Sequence, residues 1–178
     1  FSLSVAVSLL ILASAAHAAI ITADKNAGNK ADFTSLQAAH DAAASGDTLY
    51  VSGSSQPYNR LTLGKQLFVF GPGYFLTENP DTQARPLRAE VGGFTFNAGS
   101  QESLITGFII TSNVNVQTSD ITIKRNRVDA TNDTFILFGH NLTNVLILQN
   151  YMASTEISLG SNNQNIIISN NYIARLIS

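Results

Sequence analysis

Short apolar segments alternate with polar residues and return at a nearly constant interval through the second half of the chain. Val114-Asn115-Val116 is followed by Phe135-Ile136-Leu137 and then by Ile157-Ser158-Leu159, at steps of 21 and 22 residues. A second series keeps pace with the first, as Ile121/Ile123, Val145/Ile147 and Ile166/Ile168, at steps of 24 and 21. A third runs Val128, Met152, Ile173 with the same two steps. Each segment is too short to stand alone as a strand, but a strand paired with its own copy about 4.8 Å above and below gains a full backbone ladder. The i, i+2 aliphatics then point inward and stack into one continuous core. Antiparallel hairpins would call for Asn-Gly or Asp-Gly turns, and the sequence contains neither. The pattern predicts an all-β chain, a three-sided, right-handed parallel β-helix with a short N-terminal capping helix.

Earlier coils follow from the same signals. Leu104 to Ile110 has the corner pattern with Gly107 as its turn, and Leu67 to Gly73 has it again. Leu49-Tyr50-Val51, Leu61-Thr62-Leu63 and Phe94-Thr95-Phe96 supply the remaining strands. The total is about five coils, a rod roughly 24 Å long at the strand spacing. One polar position holds the register: Asn126, Asn150 and Asn171 each follow the second inward aliphatic of their strand by three residues. Stacked asparagines at a tight corner bond amide to amide along the axis. Asparagine also tolerates the left-handed backbone such a corner often needs.

Thr34-Ser35-Leu36-Gln37 has the form of a capping box and predicts a helix over about residues 34–45, stopped by Gly46. Leu36, Ala39, His40 and Ala43 share one face at helical spacing. A helix laid across the first coil covers its open core and unpaired edge, which makes His40 a half-buried cap residue. Tyr74 to Gly93 breaks the alternation, holds Pro80 and Pro86, and reads as an insertion loop at a coil corner. As a plain surface excursion it needs no function; as a long loop on a rigid scaffold it is also a place for ligand contact.

The stretches Asp32-Phe33-Thr34-Ser35-Leu36-Gln37-Ala38-Ala39, Ser45-Gly46-Asp47-Thr48-Leu49-Tyr50-Val51 and Leu67-Phe68-Val69-Phe70-Gly71-Pro72-Gly73 resemble the opening of pectate-lyase-like right-handed β-helix proteins. The resemblance runs from about Ala31 to the end of the chain and implies the fold. Characterised lyases of that superfamily draw an arginine base and calcium-binding aspartates from central coils. None of those residues aligns here, so the resemblance assigns no catalytic residue.

Composition narrows the classes. The 178 residues are 44% hydrophobic and only 12% charged, about half the usual charged share. A net charge of −2 gives no general attraction to nucleic acid or to an anionic membrane. With no cysteine there is no disulfide framework and no thiolate metal site. Beyond the leader only His40 and His140 remain, a hundred positions apart, so no metal site and no cofactor is expected. Residues 1–18 read as a signal peptide: Leu3 to Ala13 is an apolar run too short to span a bilayer, followed by the A-x-A pattern Ala16-His17-Ala18. Cleavage is expected after Ala18, with Ala19 as the alternative, and no membrane span remains afterwards. The expected location is secreted or cell-surface. Residues 19–178 form one β-helix domain, and two features point to a longer protein. Phe1 stands where an initiator Met and basic residues would precede the leader, and the coil pattern runs unbroken to the end. An uncapped last coil would also favour end-to-end self-association.

Candidate chemistry is sparse. Asp133 and Glu156, 23 residues apart, precede equivalent strands and could sit on adjacent coils as a solvated corner or a shared cation site. Lys124, Arg125 and Arg127 flank the corner at Asn126, and the repeat sets Arg127, Tyr151 and Tyr172 in one exterior column. Such a column is either a self-stacking ladder with a cation–π cap or a platform for sugar rings, with arginine for their acidic groups. Asn132-Asp133-Thr134 and Asn141-Leu142-Thr143 match the glycosylation sequon, a pattern frequent by chance in an Asn/Thr-rich repeat. The functional expectation is a secreted or surface β-helix protein contacting a polysaccharide or surface glycan through Arg127, Tyr151 and Tyr172. The rivals are a polysaccharide lyase or glycoside hydrolase with active coils beyond residue 178, and a purely structural or adhesive module.

Overall fold

In the computed structural model, residues 18–26, 28–76, 86–129, 135–152 and 156–173 are described. The leader, the sequon at 132–134 and Asp133 lie outside them. Strand β1 (Ile20–Ala23) and helix α1 (Leu36–Ala42) come first, and each turn of the chain then supplies strands to three parallel sheets. β2 (Thr48–Val51) and β3 (Leu61–Leu63) open the first turn; β4 (Phe68–Phe70), β5 (Glu90–Val91) and β6 (Phe94–Phe96) make the second. β7 (Leu104–Thr106), β8 (Ile109–Ile110) and β9 (Val114–Val116) form the third; β10 (Thr122–Lys124), β11 (Arg127–Val128) and β12 (Phe135–Phe138) form the fourth. β13 (Thr143–Leu148), β14 (Tyr151–Met152) and β15 (Glu156–Ser158) complete a fifth, and β16 (Gln164–Ser169) and β17 (Tyr172–Ile173) begin another. The sheets run β1-β2-β4-β7-β10-β13-β16, β5-β8-β11-β14-β17 and β3-β6-β9-β12-β15. The fold is a parallel β-solenoid of about five turns, as the repeat predicts.

The core is made of inward columns. Leu49, Val69, Ile105, Ile123 and Ile147 pair in succession along the seven-stranded sheet, and each is fully buried. Leu61, Phe94, Val114, Ile136 and Ile157 do the same on the third sheet. Burying a side chain of this size contributes about 1.5–3 kcal/mol, and the stacking makes every turn dependent on its neighbours.

The register differs from the sequence pattern at one strand. Ile136, not Phe135, pairs with Val114 and with Ile157, so Ile136 and Phe138 are the inward residues of β12. Five consecutive residues, Thr134 to Phe138, carry four with strong strand preference, and a shift of one residue exchanges the faces. Leu159 is likewise not an inward residue: it lies past the end of β15 and is 39% exposed. The other two series hold their predicted register, Val145↔Ile166, Ile147↔Ile168 and Met152↔Ile173 among them.

The asparagine column is present, and the left-handed residue of each corner is its predecessor. Arg125, Gln149 and Asn170 have φ of 51°, 56° and 56°, with Gly107 at 84° in the turn before. Asn126 and Asn150 are buried. Their amides bond along the axis and also back to the chain: Asn126 Nδ2 donates to the Ile105 and Lys124 carbonyls, Asn150 Nδ2 to the Ile123 carbonyl at 2.9 Å. A second amide ladder runs outside, from Asn165 to Asn144 to Asp120, all three at positive φ.

The cap is tighter than the sequence pattern predicts. The helix runs Leu36–Ala42 with Ser35 as N-cap, its side chain accepting from the Ala38 N–H at 3.4 Å. Gln37 does not close a capping box. Its Oε1 accepts from the Thr62 N–H at 3.0 Å and its Nε2 donates to the Thr62 carbonyl at 3.2 Å, so the side-chain amide pairs with strand β3 as a neighbouring peptide would. His40 is buried, more deeply than the half-buried cap residue the pattern predicts, and its Nε2 accepts from the Gly64 N–H. That leaves the proton on Nδ1, 2.8 Å from Asp41 Oδ1. Asp47 is buried too, and its two oxygens accept from the Ala19 and Ala44 N–H groups at 2.7 Å, tying the N-terminal strand to the end of the helix. Strand β1, which extends the large sheet beyond β2, has no counterpart in the sequence pattern. The segment 74–93 is not loop throughout: Glu90–Val91 pairs with β8, and Ala89 and Val91 are fully buried.

Candidate functional site

The outward side of the second sheet carries the predicted column. Ile109 pairs with Arg127, Arg127 with Tyr151 and Tyr151 with Tyr172, one residue per turn. The Tyr151 and Tyr172 rings stack at 4.8 Å with an interplanar angle of 7°. The Arg127 guanidinium lies 5.6 Å from the Tyr151 centroid on the other side. Its Nη2 also pairs with Asp129 at 2.8 Å, and its Nε is buried with no partner among the described residues. Stacking along the axis turns the ring faces toward one another, so the column presents ring edges outward. Tyr172, at the end of the stack, is 56% exposed.

The first residues of the excursion after Gly73 reach this column. Phe75 meets Tyr151 edge-on at 5.8 Å, Tyr74 packs against Phe75 at 4.5 Å, and Leu76 is buried. On the far side of this aromatic pair lies a cleft of about 780 Å³, bordered by Phe70, Tyr74, Phe75, Lys124, Arg125 and Gln149. The basic group therefore divides at the asparagine corner: Lys124 and Arg125 face the cleft, and Arg127 faces the tyrosines. Burial pushes the Tyr74 phenol above its ordinary range, partly opposed by the nearby Arg125 charge. Phe70, Tyr74 and Phe75 are not singled out by the repeat. The available signal was Tyr74-Phe75-Leu76, an apolar triplet heading an otherwise polar excursion.

Glu156 begins β15, but Asp133 lies outside the described residues, so that acidic pair is not placed. Among the described residues no three histidine or acidic side chains gather where they could hold a metal ion. No helix among them is long and apolar enough to cross a membrane. Comparisons with protein-family models, with curated proteins and with solved structures find no match for this chain.

Proposed function

We propose that this chain is a secreted or cell-surface solenoid of the pectate-lyase-like kind that contacts carbohydrate through Arg127, Tyr151 and Tyr172. The supporting observation is the exterior column itself: an arginine and two tyrosines held in register on a rigid sheet, with Phe75 beside them. Ring edges and phenol oxygens offer hydrogen bonds and apolar contact to a sugar chain laid along the turns, and the exposed end of Tyr172 offers a stacking face. Arg127 suits an acidic substituent. The wall-like scaffold holds these groups at fixed spacing, so little ordering is lost on binding.

The test is a glycan array followed by titration of the best binder against Tyr151→Ala and Tyr172→Ala. Loss of about tenfold or more in affinity, or roughly 1.4 kcal/mol, supports the platform. Unchanged affinity removes it. Release of unsaturated or hydrolysed products in the same samples would favour an enzyme over a binding module.

A further inference from the structure

From the cleft on the other side of Phe75 we infer a second, separate site, one that binds a small anionic ring ligand: a sugar or aromatic ring bearing a carboxylate. Four observations meet there. The chain carries a net charge of −2, yet among the described residues this cleft is bordered by Lys124 and Arg125 and by no carboxylate. Neither cation forms an ion pair with a described residue. Two like charges in a concave site with low-dielectric walls concentrate the field on whatever enters.

Arg125 is held ready. Its backbone is fixed at φ 51° by the corner, and its Nε donates to Gln149 Oε1 at 2.9 Å. That contact orients the guanidinium plane while its two terminal nitrogens make no hydrogen bond among the described residues. A carboxylate is the group that accepts from such a fork.

Two glycines let neighbouring turns approach closely along one edge of the cleft. A Cβ on Gly107 would stand 2.5 Å from the Gly71 carbonyl oxygen, and one on Gly71 would stand 2.5 Å from that of Gly107. In later turns the Gly107 position is taken by Arg125 and Gln149, so the cleft is edged by close-packed backbone at the glycines and by charge at Arg125. Phe70 and Tyr74 supply flat apolar wall for a ring. A volume near 780 Å³ falls within the range of small-ligand pockets, about 300–1,000 Å³.

Calorimetric titration of the whole chain with glucuronate and with benzoate, and with glucose and benzyl alcohol as uncharged counterparts, tests this. The expected result is saturable binding of at least one anion, weakening as salt is raised, with no binding of its uncharged counterpart. Glucuronate alone identifies a sugar ligand, and benzoate alone an aromatic one. Lys124→Gln and Arg125→Gln should each weaken binding about tenfold, as loss of one charge-assisted contact does, with an unchanged melting temperature. The Lys124 variant sits in ordinary strand backbone and guards against a folding artefact at the corner. Tyr172→Ala should leave this binding intact, so failure of the column and failure of the cleft are separate results. Binding of neither anion, equal binding of the uncharged pair, or full affinity in both variants would overturn the inference.

Discussion

Asn150 holds Asn126 twice: its Oδ1 accepts from the Asn126 backbone N–H at 2.9 Å and from the Asn126 Nδ2 at 3.3 Å. Asn171 repeats the arrangement on Asn150, at 2.8 and 3.0 Å. The corner of each turn therefore takes its acceptor from the next turn's side chain, and the ladder joins turns that the strands pair elsewhere. Asn150→Ala leaves the buried Asn126 N–H without an acceptor and removes the side-chain donor to the Ile123 carbonyl. The orphaned N–H costs about 1–3 kcal/mol and each further lost hydrogen bond about 1 kcal/mol, so a loss of roughly 2–4 kcal/mol is expected in urea unfolding. Asn144→Gly removes a rung of the exposed ladder while keeping its positive φ, and should cost no more than about 0.5 kcal/mol. Equal effects would contradict the difference in burial.

Two glycines separate backbone strain from crowding. Gly46 has φ 91° with nothing near its missing Cβ, whereas Gly107 has φ 84° and the Gly71 carbonyl against it. Gly46→Ala should cost only the left-handed penalty, about 1–2 kcal/mol. Gly107→Ala must also push neighbouring turns apart, and its melting temperature should fall clearly further.

Arg60 ties three turns together. Its Nη1 donates to the Phe94 and Asn113 carbonyls at 3.1 and 2.8 Å, and its Nη2 to Ser112 Oγ at 3.3 Å. Gly93 makes room for it, since a Cβ there would stand 2.6 Å from Nη2. Arg60→Ala should destabilise by about 2 kcal/mol, in the range for hydrogen bonds to a charged group. Hydrogen exchange should speed up first in β3, β6 and β9.

The N-terminal end should weaken in acid. Hydrogen bonds from the Thr22 N–H and then its hydroxyl hold Asp32 below the ordinary carboxylate range. Hydrogen bonds from Gln37 and then His40 do the same for Asp41. A depressed folded-state value means that the stabilisation is present above the unfolded carboxylate value. It is lost as pH falls from about 4 through the folded values. Melting temperature measured down this window should fall less steeply in an Asp32→Asn/Asp41→Asn double variant than in the parent. Parallel curves would show that these carboxylates do not carry the acid response.

How far the sequence could be read depended on what each residue's role required. Ile123, Ile147 and Ile168 announced themselves because an inward column demands apolar residues at a fixed step. Phe135 misled because β12 is apolar on both faces, so alternation could not choose between two registers. β1 and β5 were invisible for a related reason: Ile20–Ala23 and Glu90–Val91 pair through backbone with other turns, and too few residues repeat to show a period. At the site, the repeat predicted the column of Arg127, Tyr151 and Tyr172, because stacked turns convert spacing into contact. It could not place Tyr74 and Phe75, whose approach depends on how an irregular segment folds back over the sheet.

The stacking of turns in this order is the claim on which both proposed sites rest, and one distance tests it. Thr62 and Ser158 lie on β3 and β15, the two edges of a five-stranded parallel sheet, in the register Thr62-Thr95-Asn115-Leu137-Ser158. Four strand spacings set them about 19 Å apart. The chain has no cysteine, so a Thr62→Cys/Ser158→Cys variant takes two spin labels without background. Pulsed electron–electron double resonance should give one narrow distribution near that distance, broadened only by the label arms. A distribution centred beyond about 30 Å, more than six strand spacings, or one spread without a maximum, would contradict the solenoid and both sites built on it.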